Sequence, residues 1–188
     1  IEHFLLADGS QFSLDQLKPG TVTTRGTNGS DTLTGSRADD VIDGGSGDDE
    51  LRTGAGNDSL SGGNGGDLLA AGAGDDRIAG DNGRDVIVAG SGKDTIDAGN
   101  DGDFIDAGMG DDNVTAGHGN DFIAAGQGND RIDAGHGNDV IAFNRGDGQD
   151  LLLSQDWQQD TLSLGAGIRY ADLKLNKVGN DLVLDLGA

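Results

Sequence analysis

The sequence predicts an all-β fold: a right-handed parallel β-roll (β-solenoid) of about thirteen nonapeptide repeats, with small capping segments at both ends. The first observation behind this is a period of nine residues that runs without insertion through residues 26–142, since an uninterrupted short period marks stacked repeats. The second is that each nine carries one invariant acid and, two places on, one aliphatic side chain within a three-residue strand signal. The third is a shortage of apolar residues: Leu, Ile, Val and Phe make up 42 of 188 residues, or 22%, in a chain of net charge -22. That composition lies close to the disordered range, so an ordinary core is not expected to hold the chain together.

Residues 1–25 read as an N-terminal capping segment and linker. The stretch IEHFLLADGSQFSLDQLKPG gives a strand, a turn at Asp8-Gly9, a second short strand and a helical turn. Ser13 and Gln16 have capping-box spacing for that turn, and Pro19-Gly20 ends it.

Thirteen units follow, from GTNGSDTLT at Gly26 through AGMGDDNVT to AGHGNDVIA, which ends at Ala142. The sixth place is always aspartate: Asp31, Asp40, Asp49, Asp58, Asp67, Asp76, Asp85, Asp94, Asp103, Asp112, Asp121, Asp130 and Asp139. The eighth is always aliphatic, from Leu33 through Ile78 and Val114 to Ile141. Glycine fills the fourth place except at Ala38 and Asp101, and the second except at Thr27, Ser36 and Asp81. Residues 143–188 depart from the period and read as a C-terminal capping β-meander, with a hairpin turn at Gly179-Asn180.

The pattern of residues 26–142 resembles the haemolysin-type calcium-binding nonapeptide repeat, G-G-x-G-x-D-x-U-x, of the RTX family. The flanks resemble, more loosely, the two halves of the haemolysin-type calcium-binding-related module that follows such repeats. The resemblance implies a chain cut from a longer protein in which repeat blocks and these modules alternate.

The chemistry fits calcium, which takes six to eight hard oxygen ligands from carboxylates and backbone carbonyls. Loops that turn several carbonyls to one point favour glycine, here expected at places one, two and four. Two units make one full turn, so the aspartates fall into two columns, Asp31 to Asp139 and Asp40 to Asp130. The family implies one calcium between successive loops of a column, giving about eleven internal Ca2+ sites liganded by the thirteen aspartates. Residues 26–142 hold 24 acidic and 6 basic side chains, and bound divalent ions turn the resulting repulsion into bridging.

Other function classes fare worse. An acidic chain lacks the basic face that nucleic acid requires, and no apolar run is long enough for insertion into a membrane. There is no cysteine, hence no disulfide. Catalytic carboxylates need unequal environments, and thirteen equivalent aspartates do not provide them, so the chain reads as no enzyme. His118 and His136 stand 18 residues apart at place three of one column and should be adjacent; a transition-metal pair competes there with plain solvent-exposed loop residues. Trp157 reads as cap filling, and Arg84 and Lys93 at place five as solvated tips that weaken neighbouring sites.

The function expected is a calcium-folded structural module of a larger secreted bacterial protein, disordered without calcium, exported by a type I system and folded outside the cell or at its surface. The alternative is an adhesive or carbohydrate-binding module that uses the same scaffold, its ligand site placed in the cap. Partners are calcium ions and neighbouring modules of the same polypeptide. Self-association is expected through an apolar stripe at place seven of one column, formed by Leu68, Val86, Phe104, Phe122 and Val140.

Overall fold

The computed structural model describes residues 3–5, 11–13, 20–153, 160–166, 168–169, 174–178 and 181–185. The turn at Asp8-Gly9, the helical turn with Gln16, Trp157 and the turn at Gly179-Asn180 lie outside them. Among the described residues no helix is long and apolar enough to cross a membrane.

Strands β1 (His3–Leu5) and β2 (Gln11–Ser13) pair antiparallel as a two-stranded sheet. The chain then runs through β3 (Thr23–Arg25), β4 (Thr32–Thr34), β5 (Val41–Ser46), β6 (Glu50–Ala55), β7 (Ser59–Asn64), β8 (Leu68–Ala73), β9 (Arg77–Asn82) and β10 (Val86–Ser91). It continues through β11 (Thr95–Asn100), β12 (Phe104–Met109), β13 (Asn113–His118), β14 (Phe122–Ala124), β15 (Arg131–Asp133), β16 (Val140–Phe143), β17 (Gln149–Leu153) and β18 (Thr161–Leu164). Odd strands from β3 to β17 stack in one sheet and even strands from β4 to β18 in the other. Successive units therefore alternate between two walls. Parallel partners are 18 residues apart: Ile87 of β10 lies between Leu69 and Ile105, and Ile96 of β11 between Ile78 and Val114.

The roll has about eight turns instead of the 6.5 that thirteen units provide, because the parallel ladder extends past both ends of the period. Thr24 of β3 pairs with Ile42 before the first unit. Leu152 of β17 pairs with Ile132, and Leu162 of β18 with Ile141. The triplets Asp150-Leu151-Leu152 and Asp160-Thr161-Leu162 reproduce the acid–x–aliphatic order of places six to eight, and the added loop residues are absorbed between strands. Among the described residues of 143–188, antiparallel pairing joins β20 (Asp181–Asp185) to β17 and to β19 (Lys174–Val178), so that β20 and β19 extend the odd sheet beyond β17. They cover a strand edge that would otherwise be open.

The core is two side chains deep. The place-eight residues from Ile42 to Ile141 are fully buried, joined by Leu152 and Phe143. Place one also points inward, with Ala71, Ala89, Ala98, Ala107, Ala116, Ala125 and Ala134 buried. Gly44, Gly62 and Gly80 at that place do not have left-handed backbone, which corrects the conformational role expected there. The walls stand too close for more: a Cβ on Gly44 would meet the Oδ2 of Asp49 and the carbonyl of Gly62. Left-handed backbone belongs to places two and four, as at Gly90 (φ 116°) and Gly92 (φ 133°), where a Cβ would overlap the carbonyl of Gly72 and Gly74 one turn before. The loops are packed carbonyl against α-carbon.

Outside, Leu68, Val86, Phe104, Phe122 and Val140 stand in register on five consecutive strands of the even sheet. The rings of Phe104 and Phe122 stack at 5.1 Å with planes 3° apart, and Phe104 remains 43% exposed.

Truncating the core should be far costlier than truncating this surface. Ile105→Ala is expected to cost about 2–5 kcal/mol by denaturant titration of the calcium-loaded protein, against within about 0.5 kcal/mol for the exposed Thr95→Ala. Equal losses would contradict the assignment of place eight as the core.

Candidate metal centre

Each place-six aspartate sits where a loop enters a strand, and from Asp40 onward all are buried. Burial has a geometric cause. From Asp49 onward the Oδ1 of each accepts a hydrogen bond from the backbone N–H of the aspartate one turn earlier, as in Asp67 N–H to Asp85 (2.8 Å), Asp76 N–H to Asp94 (2.8 Å) and Asp103 N–H to Asp121 (2.7 Å), while Asp40 Oδ1 accepts from the N–H of Val22. The two aspartate columns are thus two continuous ladders. Asp130 and Asp139 donate in turn to Asp150 (2.9 Å) and Asp160 (3.1 Å). Asp160 escaped the sequence reading because three extra residues displace it from the period, although Asp160-Thr161-Leu162 carries the signal.

The second oxygen behaves differently. Oδ2 is buried without a hydrogen-bond partner at Asp49, Asp58, Asp67, Asp76, Asp85, Asp94, Asp103, Asp112, Asp121, Asp130 and Asp139. The two first aspartates escape: the N–H groups of Thr27 (2.6 Å) and Ser36 (2.5 Å) donate to Oδ2 of Asp31 and Asp40. Those residues replace the place-two glycine, and their hydroxyls also bond the same carboxylates. Thr27 and Ser36 close the start of each ladder from within.

A buried carboxylate oxygen without a donor costs on the order of kcal/mol, more when ionised. Burial accordingly pushes Asp85, Asp103 and Asp112 up to about 7 and Asp76, Asp121 and Asp130 up to about 6, against the opposing N–H bond and with added repulsion from nearby carboxylates. Asp150 is pushed to about 7 for the same reasons. Among the described residues no three His, Asp or Glu side chains converge on one point. A cation here would have to combine few carboxylates with backbone carbonyls, which is calcium chemistry more than transition-metal chemistry. Carbonyls are at hand, since among the described residues no loop backbone hydrogen bond ends on the place-four carbonyls of Gly56, Gly74 and Gly92. The donor set therefore fits calcium.

Place five adds an outer ladder that the sequence reading overlooked. The N–H of Asn57 donates to Asp39 (2.8 Å), that of Asp75 to Asn57 (2.9 Å), and that of Lys93 to Asp75 (2.8 Å). Asp or Asn at place five, one residue before the invariant acid, was the available signal. Lys93 and Arg84 interrupt this ladder: Lys93 Nζ reaches Asp111 at 3.9 Å and Arg84 Nε donates to the Gly102 carbonyl at 3.4 Å. His118 and His136 are adjacent, their rings 5.0 Å apart.

The sign of the acid effect follows from the raised values. A carboxyl that holds its proton more tightly in the roll than in the unfolded chain makes the metal-free roll most stable below about pH 4, with stability lost as pH rises through about 6 to 7. Calcium-stripped protein should therefore gain β-signal by circular dichroism when taken from pH 8 to pH 5. A β-signal that instead grows with pH would contradict the buried, donor-poor placement of Oδ2.

A family model for the RTX calcium-binding nonapeptide repeat matches residues 25–60, 61–96, 79–114, 88–123 and 115–150. No curated protein matches the chain. The matched segments together cover residues 25–150, most of the parallel ladder and every aspartate that presents an unpartnered oxygen. The chain belongs to the RTX calcium-binding nonapeptide repeat family and is a calcium-binding structural module.

Proposed function

We propose that the chain is a calcium-switched folding module of a secreted protein, unfolded at low calcium and folded outside the cell. The observation that carries this reading is the set of eleven orphaned Oδ2 atoms. Thirteen aspartates in two columns leave eleven gaps between successive loops, and each gap has one such oxygen on its C-terminal member. Asp31, Asp40, Asp49, Asp58, Asp67, Asp76, Asp85, Asp94, Asp103, Asp112, Asp121, Asp130 and Asp139 would hold about eleven ions, each ion supplying the positive charge that the buried oxygens lack. Place-two and place-four glycines keep the carbonyls of neighbouring loops close enough to share the task.

Magnitudes support a switch. Leu, Ile, Val and Phe are 20 of the 117 residues in 26–142, too few to fold so charged a segment by burial. Calcium at tenfold over a dissociation constant adds about 1.4 kcal/mol per site, so about eleven sites add about 15 kcal/mol, the order of a domain's whole net stability. At cytosolic calcium that contribution vanishes for sites of extracellular affinity, near about 10⁻⁴ M.

The neutralised roll would then present the stripe of Leu68, Val86, Phe104, Phe122 and Val140 without long-range repulsion, so association of two copies is expected to require calcium. Changing Phe104 and Phe122 together to Thr should abolish a calcium-dependent dimer in sedimentation while leaving calcium uptake unchanged. A calcium-loaded parent protein that sediments as a monomer contradicts that part of the proposal.

The switch itself is tested by circular dichroism of the full chain in chelator and in millimolar calcium at neutral pH. Coil should convert to β-structure. Asp94→Asn, in the middle of its column, should raise the calcium midpoint severalfold, whereas Asp97→Asn, exposed on the outer face, should leave it in place. A folded roll in excess chelator would sink the proposal.

A further inference from the structure

The loop row that contains Asp31 carries a polar ladder on its outside, distinct from the carboxylates within. At place three of alternate units, one per turn, stand Asn28, Ser46, Asn64, Asn82, Asn100, His118 and His136. The middle rungs are tied by side-chain hydrogen bonds: Asn64 Nδ2 donates to Ser46 Oγ (3.5 Å), Asn82 Nδ2 to Asn64 Oδ1 (3.3 Å) and Asn100 Nδ2 to Asn82 Oδ1 (3.0 Å). At His118 the chemistry changes. His118 and His136 bridge in parallel through their backbones, and their exposed imidazoles stack with centroids 5.0 Å apart and planes 14° apart. Among the described residues neither ring makes a hydrogen bond, so the exchange of Asn for His gives up the rung-to-rung bonds without a replacement inside the fold.

The two rings line an open cleft over Gly102, together with Asp101, Asn120 and Arg84. Asp101 stands where the repeat has its place-four glycine, in the turn directly before His118, and keeps the left-handed backbone of that place (φ 74°). Two departures from the local pattern, the histidines and Asp101, thus meet in one cleft of a strongly acidic protein.

We propose that His118 and His136, completed by the Asp101 carboxylate, bind one divalent transition-metal ion such as zinc, copper or nickel, apart from the calcium positions. Imidazole nitrogen suits these ions, whereas calcium selects hard oxygen, so the two kinds of site do not compete for the same cation. Two nitrogens on a tetrahedral ion with bonds of about 2.0–2.1 Å lie about 3.4 Å apart. Neighbouring parallel strands hold the two backbones at about 4.8 Å, and rotation about the side-chain torsions of the stacked rings closes the difference. Because three such ligands do not already converge, binding draws the Asp101 side chain in or completes the sphere with water. The negative field of the chain favours the cation; Arg84 opposes it, but its Nε is engaged at 3.4 Å by the Gly102 carbonyl. An ion so held staples three successive turns from outside.

The test uses the full chain in saturating calcium, which occupies the oxygen sites, titrated with zinc by calorimetry and with Cu2+ by electron paramagnetic resonance. One zinc per chain and a copper spectrum with hyperfine structure from two nitrogens are expected. His118→Asn and His136→Asn restore the residue that the preceding rungs already carry, so the roll should remain folded by circular dichroism while zinc affinity falls at least about tenfold. Asp101→Asn, also compatible with left-handed backbone, should weaken binding less, and His3→Asn not at all. Zinc affinity unchanged in the His118→Asn/His136→Asn double variant, an all-oxygen copper spectrum, or no zinc uptake by the parent chain would each overturn the proposal.

Discussion

Every feature of this roll depends on how the place-six carboxylates are held. One oxygen is spent on the N–H of the previous turn, which fixes the side chain in the wall, and the other is left buried with no donor. Such an arrangement is unfavourable by itself, and repeating it along two columns multiplies the cost. The same fixation that creates the cost also aligns the orphaned oxygens with the loops of the adjoining turn. A divalent ion therefore meets a preorganised set of oxygens, and the geometry that destabilises the metal-free chain is the geometry that selects calcium.

The remaining sequence constraints follow from stacking such loops at strand spacing. From the third unit onward, carbonyls approach the α-carbons of the next turn so closely that places two and four hold only glycine or an Asp tolerant of left-handed backbone, as at Asp81 and Asp101 (both φ 74°). The interior is only wide enough for one aliphatic and one small residue per unit, which is why Ile, Leu or Val at place eight is joined by Ala, Gly or, at Thr53, a threonine at place one. The thinness of that core limits how much apolar burial can contribute to folding, which is why the proposed switch assigns the remainder to calcium.

Much of this was legible in the sequence because a strict period converts one unit's chemistry into a whole architecture. The thirteen aspartates, the two-column arrangement and the adjacency of His118 and His136 all follow from counting by 18. What lay beyond the period was harder to see. Asp150 and Asp160 continue the ladders through loops lengthened by two and three residues, a shift that pattern counting rejects but a parallel strand accommodates. The inward role of Ala71 and Ala89 was hidden because Ala and Gly at place one read as loop chemistry, and only the distance between the walls distinguishes the two. The closing bonds of Thr27 and Ser36 were likewise masked, since departures from glycine look like noise until the first aspartate of each column is seen to need a partner.

In the proposed switch, one cation at the orphaned carboxylate oxygen completes each gap between successive loops. Anomalous diffraction from crystals grown in calcium tests it directly, gap by gap. A calcium peak is expected beside Oδ2 of Asp49, Asp58 and each later place-six aspartate through Asp139. Density showing those oxygens still buried without an ion, in a roll that is nonetheless folded, would contradict it.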